Sequence, residues 1–423
     1  MARKYLIIGC GSAGLAALEK IRSLTSEDEV RLVTKENCLP YSPTCLPYLL
    51  AGRIKETDMW TGDEEYFQSL KASWLKGKNV IKVLPEEKKV VYDDGTFDRY
   101  DALLVASGSE PVKPPIDGLE QSGAMSFHTL GDCYKLRSAL AHRKGVTILG
   151  AGLVGMELAL ALCEVGCRVK VVEKEARVLP LYFHERAAAY ITDIFLDHGV
   201  RIFTNKEVVG VRGRGEKIEV SCTDGDVFAT DLLLTCVGVR PRTSFLADSG
   251  VRINVGVVVD RRMKTNIEGI YAAGDVAEAP DFFFGQPGIN AIIPNAVVQG
   301  GIAGANMVGE EEEFKGWISM NVFNFFSNMA CSIGLCLAEE EDKQILEKEG
   351  RQEKSVKRLV FENDKLIGAM FVNEEVDPGV IHYLIENRIE LKDHKELLLE
   401  RTKEASRWLM LEAEKKQAMS LEG

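Results

Sequence analysis

KYLIIGCGSAGLAALEK, residues 4–20, is the stretch whose reading decides the fold. Residues 4–9 are a short apolar run that ends in glycine. A helical pattern follows from Ser12 to about Leu24, and residues 29–33 read as a second strand, giving a βαβ unit. Gly9-Cys10-Gly11-Ser12-Ala13-Gly14 at its turn fits G-x-G-x-x-G. In that pattern Gly9 permits the tight turn, Gly11 lets the backbone approach a pyrophosphate, and Gly14 lets helix and strand pack closely. The helix start, with Ser12 and Ala13, offers free N–H groups to phosphate. An acidic residue is expected at the end of the second strand to meet a ribose hydroxyl. Thr34 stands there, followed by Lys35 and Glu36, so a ribose contact falls to Thr34 or to Glu36 reaching back.

The theme repeats roughly 140 residues later, an internal repeat on the scale of a domain. Residues 145–150 are a strand, 153–165 a helix and 168–173 a strand, around Gly150-Ala151-Gly152-Leu153-Val154-Gly155. Here Glu173 sits where the acid is expected. Its carboxylate accepts from a ribose 2′-hydroxyl and repels a 2′-phosphate, a cost of roughly 1–4 kcal/mol for charges about 4 Å apart. NADH is therefore expected over NADPH, with Lys174 and Arg177 near enough in sequence to soften the preference.

A chain of 423 residues suggests two or three domains. Its composition, 46% hydrophobic and 27% charged, is that of a soluble globular protein. A formal net charge of −12 without a basic block argues against a nucleic-acid partner. No signal peptide is visible. Residues 282–309 are uncharged but hold two prolines and six glycines, a poor spanning helix. The reading is a cytoplasmic chain with no membrane contact. The ten cysteines form no C-x-x-C pair, so neither a metal nor an iron–sulfur cluster is expected on this chain.

Two further segments, residues 100–109 (YDALLVASGS) and 269–275 (GIYAAGD), each read as a strand followed by a turn of small residues. With the two fingerprints they make four ordered motifs that closely resemble the FAD- and NAD(P)-dependent pyridine-nucleotide oxidoreductases, over about residues 4–375. The resemblance implies an α/β fold of two Rossmann-like domains and a small α+β C-terminal interface domain. The FAD domain would comprise residues 1–115 and 243–315, with an NAD domain, 116–242, inserted in it. An interface domain, 316–391, and a charged helical tail, 392–423, would follow. It further implies that Asp275 meets the ribityl chain or pyrophosphate of FAD and that Ser107 and Gly108 pass close to FAD. Asn295 and Ala296 would open a helix aimed at the flavin ring. Gly238 would line the NAD site. The activity implied is hydride exchange between NAD(H) and FAD.

Residues 39–52 (LPYSPTCLPYLLAG) bear on the subclass. The disulfide-reducing branch carries a C-x-x-x-x-C pair here, whereas residues 39–52 hold only Cys45; the pair so spaced, Cys331 and Cys336, lies far along the chain. A second branch, of NADH oxidases and coenzyme A disulfide reductases, carries one cysteine in C-G-x-P-Y; Cys45-Leu46-Pro47-Tyr48 is one residue short of that. A third, of rubredoxin reductases and nitrite-reductase flavin modules, matches at Tyr41-Ser42, Tyr48 and Ala51-Gly52. Leu366-Ile367-Gly368-Ala369 and Asp377-Pro378-Gly379 resemble the interface domain of the third branch. Within it the chain is similar to flavin subunits of NAD-linked 2-oxoacid oxidoreductase complexes, those oxidising phenylglyoxylate in particular. That likeness implies iron–sulfur partner subunits. The alternatives are a stand-alone enzyme using Cys45 as its redox thiol and a non-catalytic nucleotide-binding regulator. Residues 321–332 are expected as core rather than a docking surface, 357–372 as a hairpin turning at Asn363-Asp364, and 392–416 as a charged helix that is either a solvated tail or a surface for a sister subunit.

Overall fold

The computed structural model describes residues 2–215, 217–339 and 343–421. Glu422 and Gly423, the end of the expected tail, lie outside the described residues. The chain divides into two compact units, Met1–Val112 with Val239–Trp317, and Lys113–Gly238 with Ile318–Gly423.

The first unit is built on a five-stranded parallel sheet. Its order is Ile270–Ala272, Ala102–Val105, Lys4–Ile8, Glu29–Val33, Ala72–Leu75. Ala102–Val105 is buried throughout, as a central strand of a sheet covered on both faces must be. The helices Ser12–Leu24 and Ile293–Val308 pack at very short range. A Cβ on Gly300 would stand 2.2 Å from the carbonyl oxygen of Ala13, and one on Gly304 2.7 Å from that of Ala17. Only glycine at those two positions lets the backbones approach so closely.

The second unit holds a parallel sheet in the order Arg201–Phe203, Arg168–Val172, Gly145–Leu149, Leu232–Thr235, Met125–Ser126. It also holds a five-stranded antiparallel sheet made of Met320–Phe325, Asn328–Gly334, Lys365–Val372, Ser355–Glu362 and Gln344–Gly350. Met320–Phe325 alternates buried and outward residues, with Phe323 and Phe325 buried. Both rings stack on Phe195 of the helix Glu185–Asp197, at 6.1 and 5.6 Å between centroids. The hairpin turns at Asn363 and Asp364, both left-handed at φ 48° and 62°, the pair of positive φ values that a two-residue type I′ turn requires.

The C-terminal helices differ from the solvated tail expected of their charge. Leu398, Leu399, Thr402, Ala405, Ser406, Leu409 and Ala413 are buried, and Arg407 bonds Asp377 at 2.9 Å. Small and apolar residues spaced three and four apart make one face that a reading of net charge overlooks. No helix of the described residues is long and apolar enough to cross a membrane.

Candidate functional site: two glycine cradles

The two fingerprints adopt the same geometry. Gly9 and Gly150 lie at φ +115° and +98°, where only glycine is comfortable. A Cβ there would stand 2.0 Å from the Ala106 carbonyl oxygen in the first unit, and 2.4 Å from that of Cys236 in the second. A Cβ on Gly14 or Gly155 would stand 2.1 Å from the carbonyl oxygen of Gly9 or Gly150. Gly11 and Gly152 differ in kind. Both have ordinary negative φ, −79° and −73°, and a Cβ on either meets nothing within 4 Å. They are N-caps of the helices Ser12–Leu24 and Leu153–Glu164, and neither helix start has a side-chain cap. A helix start leaves its first N–H groups without intrahelical partners, so each unit presents uncapped donors beneath open space, the arrangement a pyrophosphate fits. Ser12 and Ala13 open the first helix, and Leu153 and Val154 the second, Val154 being exposed.

The other residues picked out in the first unit gather at the same place. Gly274 is wedged between Ala13 and Ala296, whose Cβ atoms would be 3.1 and 3.6 Å from a Cβ on it. Its N–H donates to Gln299 Oε1 at 2.9 Å. Asp275 Oδ2 accepts from Ser109 Oγ at 2.8 Å. Ser107, next to the carbonyl that Gly9 meets, donates from Oγ to the Arg242 carbonyl at 2.8 Å, and Gly108 is left-handed at φ +66°. Asn295 is buried in the first turns of Ile293–Val308 and donates to the Asn290 carbonyl at 3.2 Å. Thr34 Oγ1 accepts from the Glu36 N–H at 3.3 Å, and Glu36 accepts from Tyr41 Oη at 2.8 Å. Lys35 is exposed.

In the second unit Glu173 is 8% exposed. Its carboxylate accepts from the N–H of Ala151 at 2.5 Å and of Glu175 at 2.8 Å, which ties the strand end to the glycine turn. Lys174 pairs with Glu207 at 2.8 Å. Arg177 donates to the carbonyls of Phe183 and Pro180 at 3.0 and 3.3 Å. Both cations near Glu173 are thus engaged elsewhere. Gly238, exposed at φ +108°, follows Cys236 and Val237 past the strand end.

Cys45 is half-buried and is the N-cap of the short helix Leu46–Leu50; its own N–H donates to the Ser42 carbonyl at 3.0 Å. All ten cysteines are free. Burial pushes the thiols of Cys10 and Cys236 up to about 12, so both are protonated near neutrality. Among the described residues no group of His, Cys, Asp and Glu is placed to hold a metal.

Three residues carry signals too faint to find from sequence. Ser109 ends the segment 100–109 and Gln299 lies in the helix Ile293–Val308, and both meet their partners only through the fold. Glu157 is a lone acid in the apolar helix Leu153–Glu164, between the fully buried Met156 and Leu158. Desolvation pushes its carboxyl up to about 7. A carboxyl raised on folding favours the folded state fully below its unfolded value, near 4.5, and that contribution is lost as pH rises through about 7. Glu157→Gln is expected to raise stability over wild type by about 2–3 kcal/mol at pH 8 and by little at pH 5. Melting curves across that range check it, and a difference independent of pH contradicts it.

Residues 3–300 match the family model described as pyridine nucleotide-disulphide oxidoreductase. The chain is 34% identical over 391 residues, 92% of each chain, to the NADH-dependent phenylglyoxylate dehydrogenase subunit epsilon of Aromatoleum evansii. It is 32% identical over 320 residues, 74% of this chain and 71% of the other, to an NADH oxidase of Methanocaldococcus jannaschii. The fold matches the water-forming NADH oxidase from Lactobacillus brevis with a TM-score of 0.84 at 23% identity, over 99% of this chain and 100% of that one. The chain belongs to the pyridine nucleotide-disulphide oxidoreductase family and is an FAD-dependent oxidoreductase of NAD(H).

Proposed function

We propose that this chain is the flavin subunit of a 2-oxoacid oxidoreductase complex, with phenylglyoxylate as the acid. In that role it passes electrons between NAD(H) and iron–sulfur partner subunits. The observation that carries the reading is the likeness to the epsilon subunit, which spans 92% of both chains. In it, residues 1–115 and 243–315 hold FAD, 116–242 hold NAD(H), and 316–391 form an interface domain followed by the charged helical segment from residue 392.

The residues fit both groups. Gly9, Gly11 and Gly14 shape the first cradle, and the N–H groups around Ser12 and Ala13 hold the FAD pyrophosphate. Thr34 and Glu36, with Lys35 beside them, meet the adenosine. Ser107, Gly108 and Asp275 line the path toward the flavin, and Asn295 and Ala296 open the helix whose positive end favours negative charge on the ring. Gly150, Gly152, Leu153, Val154, Gly155 and Gly238 form the second cradle, with Glu173 on the ribose. Bound FAD supplies the redox chemistry, taking or giving a hydride with NAD(H) and exchanging single electrons with a metal centre.

Glu173 sets the nucleotide preference, since Lys174 and Arg177 are held by Glu207 and by backbone carbonyls. Glu173→Gln keeps the shape and removes the charge. The ratio of kcat/KM for NADH over NADPH is expected to fall about tenfold, from the loss of roughly 1–2 kcal/mol of repulsion. An unchanged ratio contradicts the assignment.

A second reading, a stand-alone NADH oxidase or coenzyme A disulfide reductase, is favoured by the likeness to the archaeal NADH oxidase and needs Cys45 as the redox thiol. Cys45→Ser separates the two. The subunit reading predicts little change in flavin reduction by NADH and slow turnover with oxygen or the disulfide before and after the change. Fast turnover lost in the variant sinks it.

A further inference from the structure

We propose that Ser109 is a positioning residue for FAD: its hydroxyl fixes the Asp275 carboxylate in the orientation that receives the cofactor. The inference rests on the reading above, in which Asp275 holds FAD. Ser109 is 5% exposed and donates to Asp275 Oδ2 at 2.8 Å across 166 residues of chain.

The hydroxyl is itself held in place. Ser109–Pro111 pairs antiparallel with Val239–Pro241, Ser109 opposite Pro241. On one flank the Arg242 N–H donates to the Gly108 carbonyl at 3.0 Å and Ser107 Oγ donates back to the Arg242 carbonyl. On the other, Arg240 Nε donates to Glu110 at 3.0 Å. The residue before Asp275 is held as well: the Gly274 N–H donates to Gln299, which is 3% exposed. A serine hydroxyl has one proton to give. Spending it on Oδ2 stops the carboxylate from rotating and leaves Oδ1 to accept from a hydroxyl of the ligand's sugar or ribityl chain.

The test is a double-mutant cycle on the full-length flavoprotein with Ser109→Ala, Asp275→Ala and both. FAD release on dilution gives the dissociation constant, and the flavin midpoint potential and visible spectrum are read on the same samples. The melting temperature of each flavin-stripped variant, against flavin-stripped wild type, reports that the fold survives. Ser109→Ala is expected to weaken FAD about tenfold, the loss typical of a hydrogen bond to a charged group, and to shift the potential. It should add nothing in the Asp275→Ala background. Wild-type FAD affinity in Ser109→Ala, or an equal loss in both backgrounds, overturns the positioning role while an effect of Asp275→Ala leaves the reading of the site intact. No effect of Asp275→Ala overturns both. Should Ser109→Ala lower that melting temperature as well, Ser109→Thr decides: FAD affinity regained with the hydroxyl supports the role, and affinity still lost overturns it.

Discussion

Gly11→Val is expected to give a folded protein that purifies without yellow colour. The backbone at Gly11, φ −79° and ψ −174°, is extended and suits a β-branched residue, and a Cβ there meets no atom within 4 Å. The fold therefore has little to lose. The isopropyl group would instead fill the open space over the uncapped start of Ser12–Leu24. That is where a pyrophosphate must come to reach the free N–H groups. Displacing it removes several charge-assisted hydrogen bonds, each worth about 1.5–3 kcal/mol. FAD affinity should thus fall by more than about 100-fold, each 1.4 kcal/mol being tenfold. The flavin-to-protein ratio after gel filtration measures the loss, and the melting temperature of wild-type protein stripped of flavin is the reference for the fold. Gly14 offers the contrast. A Cβ there would lie 2.1 Å from a carbonyl oxygen, so Gly14→Val should fail as a fold. A yellow Gly11→Val protein with full flavin would contradict the placement of FAD on the first cradle.

Gly152→Val is expected to do the converse. Its φ of −73° and ψ of −179° likewise suit valine, and nothing lies within 4 Å of a Cβ. The variant should stay yellow, since the first unit is untouched. Its flavin should be reduced by dithionite as in wild type, and by NADH with a kcat/KM lowered about 100- to 1000-fold, or roughly 3–4 kcal/mol of lost binding. Stopped-flow absorbance of the flavin band measures both. Reduction by NADH at the wild-type rate would show that the nucleotide does not use the second cradle.

The cradles were legible in the sequence because glycine acts there through local geometry. A left-handed φ at Gly9 and Gly150, and carbonyls pressed on Gly14 and Gly155, follow from a strand, a turn and a helix within a dozen residues. The Asn363-Asp364 turn was legible for the same reason. What the sequence did not display depends on distant partners. Ser109 meets Asp275 only because the strand Ser109–Pro111 is brought back against Val239–Pro241. Glu157 gives no sign of its raised carboxyl until its helix is packed. The antiparallel C-terminal sheet meets the helix Glu185–Asp197 through Phe195 against Phe323 and Phe325, a contact with no local period to read. Thr34 remains the one break in the symmetry of the two fingerprints. Where Glu173 bonds the Ala151 N–H, Thr34 bonds forward to Glu36, and Tyr41 then fixes the Glu36 carboxylate.

We propose that this chain takes a hydride from NAD(H) and passes its two electrons on singly. The most direct test is anaerobic stopped-flow on the purified chain. NADH is mixed with the flavoprotein, and the reduced form is then mixed in turn with a one-electron acceptor such as ferricyanide, with oxygen and with coenzyme A disulfide. The account predicts that one equivalent of NADH bleaches the flavin and that only the one-electron acceptor restores it rapidly. Rapid reoxidation by oxygen or by the disulfide would contradict it.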